Sequence, residues 1–399
     1  GFALKRMARD PLAHGSLTII IMAAAALGVF SAAFQPTLAR SHEEQALYSA
    51  GADLRVTGNV DQSLADQLKQ ELEPLPEVEA VAPVHRGTVQ LPLGFVNDRM
   101  RVLAVTPDAM AEAAWFREDF AGKPIGPLLQ ELRSPVSGGD GISLPADITA
   151  LGAWIKLSDF RAYFPVDPYL SARLQDSTGR YINVIVGQLT KRDTWEYLET
   201  PLANQMASAK PPFRLVALYL TGSLLGSTSG TLDLSEVTVR TASSPDPVKA
   251  EGVAAPGLWA PLPSVSYGQD KVEVSQEAAR EGGTGVRFTW AREASTDIRG
   301  IFVPNGPVPI PVIGGPSLVP GQQFSIKRGQ SLVPVVVVDV VNYFPTLNPR
   351  EEQFILIDLA TFSTLLERLP GFDRVAPNEV WIKTVGAPAR GEAVAQVRA

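Results

Sequence analysis

Trp195 and Tyr197 stand two positions apart in DTWEYLETPL, with Tyr163, Phe164 and Tyr169 shortly before them. Rings at that density offer flat apolar faces on which a sugar can stack, and the same rings serve equally well as core. Trp195, Tyr197, Tyr163 and Tyr169 are therefore read as a candidate ligand platform, with core packing as the alternative. Asp233 and Glu236 in GTLDLSEVTV suggest calcium, but the oxygen-ligand spacing of a loop site is missing, so solvated strand edges are their expected setting. Only three histidines occur, His14, His42 and His85, and there is no cysteine. That leaves almost nothing for a histidine triad or zinc site, and nothing for a thiolate or disulfide. His85 and Arg86 have no carboxylate or nucleophile close in sequence, so His85 is expected to be structural.

Other chemistries are absent as motifs. No Gly-x-Ser-x-Gly elbow and no Walker A pattern occur, so any nucleotide hydrolysis belongs to another chain. The pieces PVSGGDG and EGGTG lack the lysine and the strand-to-helix setting of a phosphate loop, and read as turns. No catalytic residue, metal ligand or cofactor site is assigned. A net charge of -7 and a pI near 5.2 make nucleic acid an unsuitable partner.

The elements that must position these residues begin with LTIIIMAAAALGVFSAAF. From Gly15 to Ala39 no side chain is charged, and as a helix this run is about 37 Å long, enough to cross a hydrocarbon core of about 30 Å. Lys5, Arg6 and Arg9 precede it, whereas Glu43 and Glu44 follow Arg40, which places the N-terminus in the cytoplasm and the bulk of the chain outside. A cleaved signal has a shorter apolar core, and a buried helix of a soluble protein shows a polar face that this run lacks. A continuous helix from membrane to stalk is expected, with Pro36 as its weak point, since a proline inside a helix can kink it. The chain starts at Gly1 and stops at Ala399 without a closing element, as expected of a segment of a larger membrane protein.

Beyond the run the pattern is α+β. A polar helical continuation ends near Gly51, and ADLRVTG reads as a strand. Asp61 or Ser63 caps a helix with Leu64, Leu68, Leu72 and Leu75 on one face. VEAVAPVHRGTVQL and MRVLAVTP are strands, and Thr106 with Pro107 opens a further helix. Near its end Trp115, Phe116 and Phe120 either line a cleft between subdomains or pack the helix on its sheet. In the C-terminal part QSLVPVVVVDVVNYFP is a buried strand, Asp358 caps a helix after a strand, and NEVWIKTVG is the closing strand. RVLAVTPDAM and FILIDLATF share a strand-cap-helix unit. Between the halves SARLQDSTGRYINVIVGQL reads as a hairpin, and RLVALYLTG, GTLDLSEVTVRT and GVRFTWAREAS add short strands, with a helical turn around Thr194 to Met206. This predicts an inserted antiparallel β-sandwich or jelly roll, bounded by SSPDPVKAEGVAAPG and PNGPVPIPVIGGP as linkers. The expected division is a cytoplasmic segment 1–14, a transmembrane helix 15–39, a stalk 40–51, an α+β domain 52–156, the sandwich 157–292 and the rest of the α+β domain 293–399.

The apolar helix, the ALYSAGADLRV exit and PEVEAVAPVHRGTV, followed by LAVTPDAMAEAAWFREDFAGKPIGPLLQEL and SLVPGQQFSIKRGQSLVPVVVVDVVNYFPTLN, together resemble the FtsX-like or MacB-like ABC transporter permeases. The resemblance covers the anchor and both α+β parts. It implies a first transmembrane helix leading into an extracytoplasmic domain, a separate cytoplasmic ATPase subunit, and a second permease half or a homodimer partner. The middle strands resemble the jelly roll of carbohydrate-binding modules and depart from simpler members of the family. The expected role is a non-enzymatic permease segment in the cell membrane that couples a partner's ATP hydrolysis to the exterior domain, for export, lipid or lipoprotein handling, or mechanotransmission. The alternative is a membrane-anchored protein that binds glycan, cell-envelope polymer or an extracellular protein. An anchored hydrolase lacks the acid/base pair it needs.

Overall fold

In the computed structural model, the described residues are 11–58, 60–92, 98–133, 139–162, 167–206, 208–222, 225–264, 269–292, 298–329, 331–370 and 375–386. The charged flank Lys5, Arg6 and Arg9, together with Tyr163 and Phe164, lies outside them.

Helix α1 runs from Pro11 to Ala50, about 60 Å at about 1.5 Å per residue, and continues through Pro36. The large apolar side chains from Ile19 to Leu38 are left uncovered by the rest of the protein: Ile19 is 64 % exposed and Phe30 61 %. Among the described residues it is the one helix long and apolar enough to cross a membrane, and it lies near the N-terminus. The apolar run and the segment after it, expected as a stalk, are thus one continuous helix.

The chain continues through β1 (Leu54–Thr57), α2 (Gln62–Leu72), β2 (Val78–Leu91), β3 (Asp98–Val105), α3 (Pro107–Ala113) and α4 (Ile125–Gln130). Asp61 caps α2 by accepting the Leu64 amide at 2.8 Å. Pro107 takes the first turn of α3, but the Thr106 side chain makes no capping bond, and the helix stops at Ala113, so Trp115 and Phe116 lie beyond it.

Twelve strands then build the sandwich: β4 (Ile142–Leu144), β5 (Ile148–Arg161), β6 (Tyr169–Gln175), β7 (Tyr181–Gln188), β8 (Glu196–Pro201), β9 (Phe213–Thr221), β10 (Ser229–Thr241), β11 (Val248–Lys249), β12 (Ala260–Pro261), β13 (Lys271–Ser275), β14 (Gly285–Trp290) and β15 (Ile298–Phe302). The front sheet has the order β13-β14-β10-β5-β8 with β11 beside β10; the rear sheet has β12-β15-β9-β6-β7 with β4 beside β9. Their inner faces share one apolar core, from Leu151, Ile155 and Phe288 in front to Leu170, Val184 and Leu218 behind. The sandwich takes in more chain than 157–292. Strand β5 pairs with β10 along most of its length, and β15 completes the rear sheet. The segment expected to turn helically around Thr194 to Met206 is instead β8, paired with β5, followed by turns.

The remaining elements are β16 (Ile310–Gly314), β17 (Gln323–Arg328), β18 (Ser331–Val340), β19 (Gln353–Asp358), α5 (Leu359–Arg368) and β20 (Glu379–Thr384). They join β1 to β3 in one eight-stranded sheet, β1-β20-β2-β17-β18-β16-β19-β3. Since β3 also pairs with β2, strands β2, β17, β18, β16, β19 and β3 close into a ring, the β2–β17 join being Gln90 with Lys327. The supposed linker PNGPVPIPVIGGP therefore contains β16, a buried strand of this ring. Pro311 is tolerated there because the pairing with β19 begins only at Val312. The two strand-cap-helix units lie side by side, β3 parallel to β19 with Val105 opposite Asp358. Asp358 caps α5 through the Thr361 amide at 2.7 Å.

The rear sheet packs on this body. Arg173 of β6, buried, donates from Nε and Nη2 to the Glu367 carbonyl at 2.9 and 2.7 Å, capping the end of α5. Arg368 returns the contact by donating to the carbonyls of Gly139 and Val303, each at 2.7 Å. The front sheet's outer face points away from this joint.

Candidate functional site at the foot of the helix

The long helix ends on the body through a set of contacts that no single stretch of sequence contains. Gly51 closes α1, its amide bonded to the Leu47 carbonyl at 2.7 Å and its φ at +90°, a conformation that favours glycine. A Cβ on Gly51 would lie 2.5 Å from the Trp381 indole and 2.8 Å from the Thr346 side chain, so the helix backbone rests directly on Trp381. Trp381 is fully buried, and its Nε1 donates to Glu379 Oε2 at 3.1 Å. Arg86 grips the same carboxylate with Nε at 2.6 Å and Nη2 at 3.2 Å, and Nη2 also donates to Thr346 Oγ1 at 2.6 Å. The Thr346 amide then bonds the Tyr48 carbonyl at 2.8 Å, which returns the network to α1. Thr346 holds φ +69°, a strained value for a β-branched residue, and these bonds on both sides keep it there.

Further contacts stiffen the joint. The Tyr48 hydroxyl donates to the Leu347 carbonyl, and the Trp115 amide donates to the Gly51 carbonyl at 2.8 Å. Phe120 sits at the centre of a ring cluster with Tyr48, Trp115, Phe116 and Tyr343, at centroid distances from 5.5 to 5.9 Å. Trp115 and Phe120 thus touch the end of α1, and Phe116 packs on Phe120 behind them. Arg117 links Glu44 of the helix, at 2.7 Å, to Asp119, at 2.6 Å, and Arg40 reaches Glu44 at 2.9 Å.

The expected platform residues separate. Tyr197 on β8 packs at 5.2 Å from Trp154 of β5, and Lys156 sits 5.1 Å over the Trp195 ring, all on the outer face of the front sheet. Tyr169 belongs to β6 of the rear sheet. The Tyr197 hydroxyl donates to Glu199 Oε2 at 2.6 Å, and burial raises its pKa above the usual tyrosine range. Trp154, which sequence reading passed over, carries the Arg280 guanidinium 3.9 Å above its ring. Its signal was the alternation of Trp154 and Lys156 with the core residues Ala153, Ile155 and Leu157.

Asp233 corrects the strand-edge expectation. It lies on β10, in the middle of the front sheet, and its side chain is 1 % exposed. Register places it directly opposite Lys156 on one side and Arg287 on the other, with ion pairs of 3.0 and 2.7 Å. The bond to Asp233 raises the Arg287 pKa. Glu236 forms only a long pair with Lys249, at 3.5 Å. Replacing Asp233 by alanine leaves two cations facing each other across the strand, and should cost about 2–3 kcal/mol in a thermal or urea melt.

His85 is structural. Its Nδ1 donates to the Ala376 carbonyl at 2.6 Å, so Nε2 accepts from Arg328 at 3.1 Å, which fixes the neutral tautomer. Burial, aided by the facing Arg328 guanidinium and opposed by the Ala376 bond and by Glu379, lowers its pKa. Above about pH 6.5 His85 is neutral in folded and unfolded chains alike. As the pH falls below that value the unfolded chain takes up the proton first, so this contribution to stability declines until folded His85 also titrates. The stability difference between wild type and His85→Gln should be flat above pH 7 and shift below pH 6.5; a difference independent of pH between 4 and 8 would remove this assignment.

No protein family, curated protein or solved structure matches the chain. Among the described residues no group of histidine and acidic side chains is placed to hold a metal ion. What the foot can do is mechanical: it ties one exposed apolar rod to a body that in turn grips the sandwich.

Proposed function

We propose that the chain is the first membrane helix and extracytoplasmic portion of a permease of the FtsX-like or MacB-like ABC transporter type, and that it carries force across a cell membrane. The N-terminus faces the cytoplasm, where a separate ATPase subunit acts, and a second permease half or a second copy completes the assembly. The observation that carries this reading is the continuous helix from Pro11 to Ala50 ending on the buried Gly51–Trp381 contact. A rod with its far end locked into a folded body transmits tilt or translation, and such coupling requires a stiff connection rather than a catalytic site. The arginine bonds between α5 and the rear sheet extend the lever to the sandwich.

The absence of cysteine gives a clean background for a test. In intact cells a membrane-impermeant maleimide should label Val248→Cys on the exposed edge of the sandwich. In membranes carrying the whole transporter, the labelling rate of Glu43→Cys should change at least about twofold when the ATPase is trapped with vanadate. Labelling of Val248→Cys only after lysis, or a Glu43→Cys rate indifferent to nucleotide, rules the reading out.

The front sheet favours a second reading, a membrane-anchored glycan or envelope binder. Trp154, Trp195 and Tyr197 gather on the face turned away from the body, amid Lys156 and Arg280. On an array of envelope glycans the full chain in detergent should give a signal that Trp154→Ala lowers about tenfold, a loss of about 1.4 kcal/mol. Silence across the array removes it.

A further inference from the structure

A cavity of about 770 Å³ opens beside the end of α1, lined among others by Tyr48, Phe120 and Tyr343 and by Arg55, Arg117 and Arg350. The three arginines differ in their engagement. Arg117 is committed to Glu44 and Asp119. Arg55 of β1 and Arg350 are exposed and make no ion pair with any described residue. Asp119 is the one acid in the lining, and it is the partner of Arg117. At the helix end the Leu47 carbonyl accepts from Gly51, the Tyr48 carbonyl from Thr346 and the Gly51 carbonyl from Trp115.

We propose that this cavity binds a phosphoryl group carried on an organic molecule. Two unpaired guanidinium groups provide planar forks matched to phosphate oxygens, which a lysine pair would not reproduce. The volume exceeds what inorganic phosphate fills and falls in the range of small-molecule sites, and the flanking rings of Phe120 and Tyr343 cover an apolar portion of the ligand. The cavity also lies close to the lipid surface the helix implies. Tyr48 is nine positions past Ala39, roughly 14 Å along the helix, whereas headgroups extend about 5–7 Å beyond the hydrocarbon on each side. A phosphoglycerol seated there is either the headgroup of a lipid lifted partly out of its leaflet or a soluble glycerol phosphate. The site stands independently of any ATPase partner.

The test uses the full chain in a neutral detergent. Native mass spectrometry with equal phosphatidylglycerol and phosphatidylcholine reports lipid retention, and calorimetric titration with glycerol 3-phosphate reports the soluble ligand. At least one phosphoglycerol probe should bind, with phosphatidylcholine retained less than phosphatidylglycerol, and Arg55→Gln/Arg350→Gln should weaken binding at least about tenfold. Binding of phosphatidylglycerol without glycerol 3-phosphate assigns the lipid source; binding of glycerol 3-phosphate assigns the soluble one. Both arginines are exposed, so the melting midpoint of the double variant should hold; if it falls, charge reversal by Arg350→Glu carries the same comparison. Failure of both phosphoglycerol probes to bind, retention of phosphatidylcholine as strong as that of a bound phosphatidylglycerol, or unchanged binding by the variants overturns the proposal.

Discussion

Arg86→Met should cost about 3–5 kcal/mol, more than any other single change at the helix foot, because it leaves the Glu379 carboxylate buried without its cation. The side chains of Arg86 and Glu379 are 17 % and 9 % exposed and form a two-pronged pair, so water does not readily replace the guanidinium. Among the described residues Trp381 Nε1 is the one other side-chain donor to Glu379, and one neutral bond does not compensate a buried charge. The loss also frees Thr346 Oγ1 at a strained residue, so damage should spread to the bond between Thr346 and Tyr48. Arg86→Met/Glu379→Gln should recover more than half of the loss, since glutamine still accepts from Trp381 without a buried charge. Denaturant melts of the four members of this double-mutant cycle give the coupling directly. A single variant within about 1 kcal/mol of wild type would mean that the carboxylate reaches solvent and that the network does not hold the foot.

Gly51→Val should detach the helix from the body. Two costs combine: a side chain in the left-handed region costs about 1–2 kcal/mol, and a Cβ 2.5 Å from the Trp381 ring forces displacement of a fully buried indole, about 1–3 kcal/mol more. We expect a destabilisation of at least about 2 kcal/mol. Gly58 separates the two terms, because its φ is +123° but an added Cβ meets nothing within 4 Å. Gly58→Ala should therefore cost only the conformational part, about 1–2 kcal/mol. The local readout is hydrogen exchange at the Trp115 and Thr346 amides, which bond to Gly51 and Tyr48 across the joint. They should lose protection in Gly51→Val and keep it in Gly58→Ala. If both variants leave these amides equally protected, the helix does not depend on the Gly51–Trp381 contact, and the lever has lost its fixed end.

Local chemistry was legible in the sequence where a residue's own neighbours decide the outcome. The uncharged run became a helix because nothing in it opposes helical hydrogen bonding except Pro36, and one missing amide did not end a 40-residue helix. Asp61 and Asp358 cap helices because each needs only an amide three residues away. The β6–β7 hairpin follows from Asp176, which accepts the amides of Thr178 and Arg180, and from Gly179 at φ +82°.

What depended on distant pairing was not legible. Asp233 looks like any acid on an exposed strand until β5 and β14 arrive on either side with Lys156 and Arg287 in register. Strand β16 hides among prolines because its neighbours, β18 and β19, tolerate Pro311 only through the register they adopt. The helix foot is the extreme case: Tyr48, Arg86, Trp115, Thr346 and Trp381 are separated by up to hundreds of positions, and none carries a local mark of its role. Sequence alone determined that an apolar rod precedes an α+β body holding many short strands, since hydrophobic period and caps are properties of short segments. Only the tertiary structure decided that the helix end is fastened to a buried tryptophan, because which backbone packs against which ring is set by the closing of the sheet.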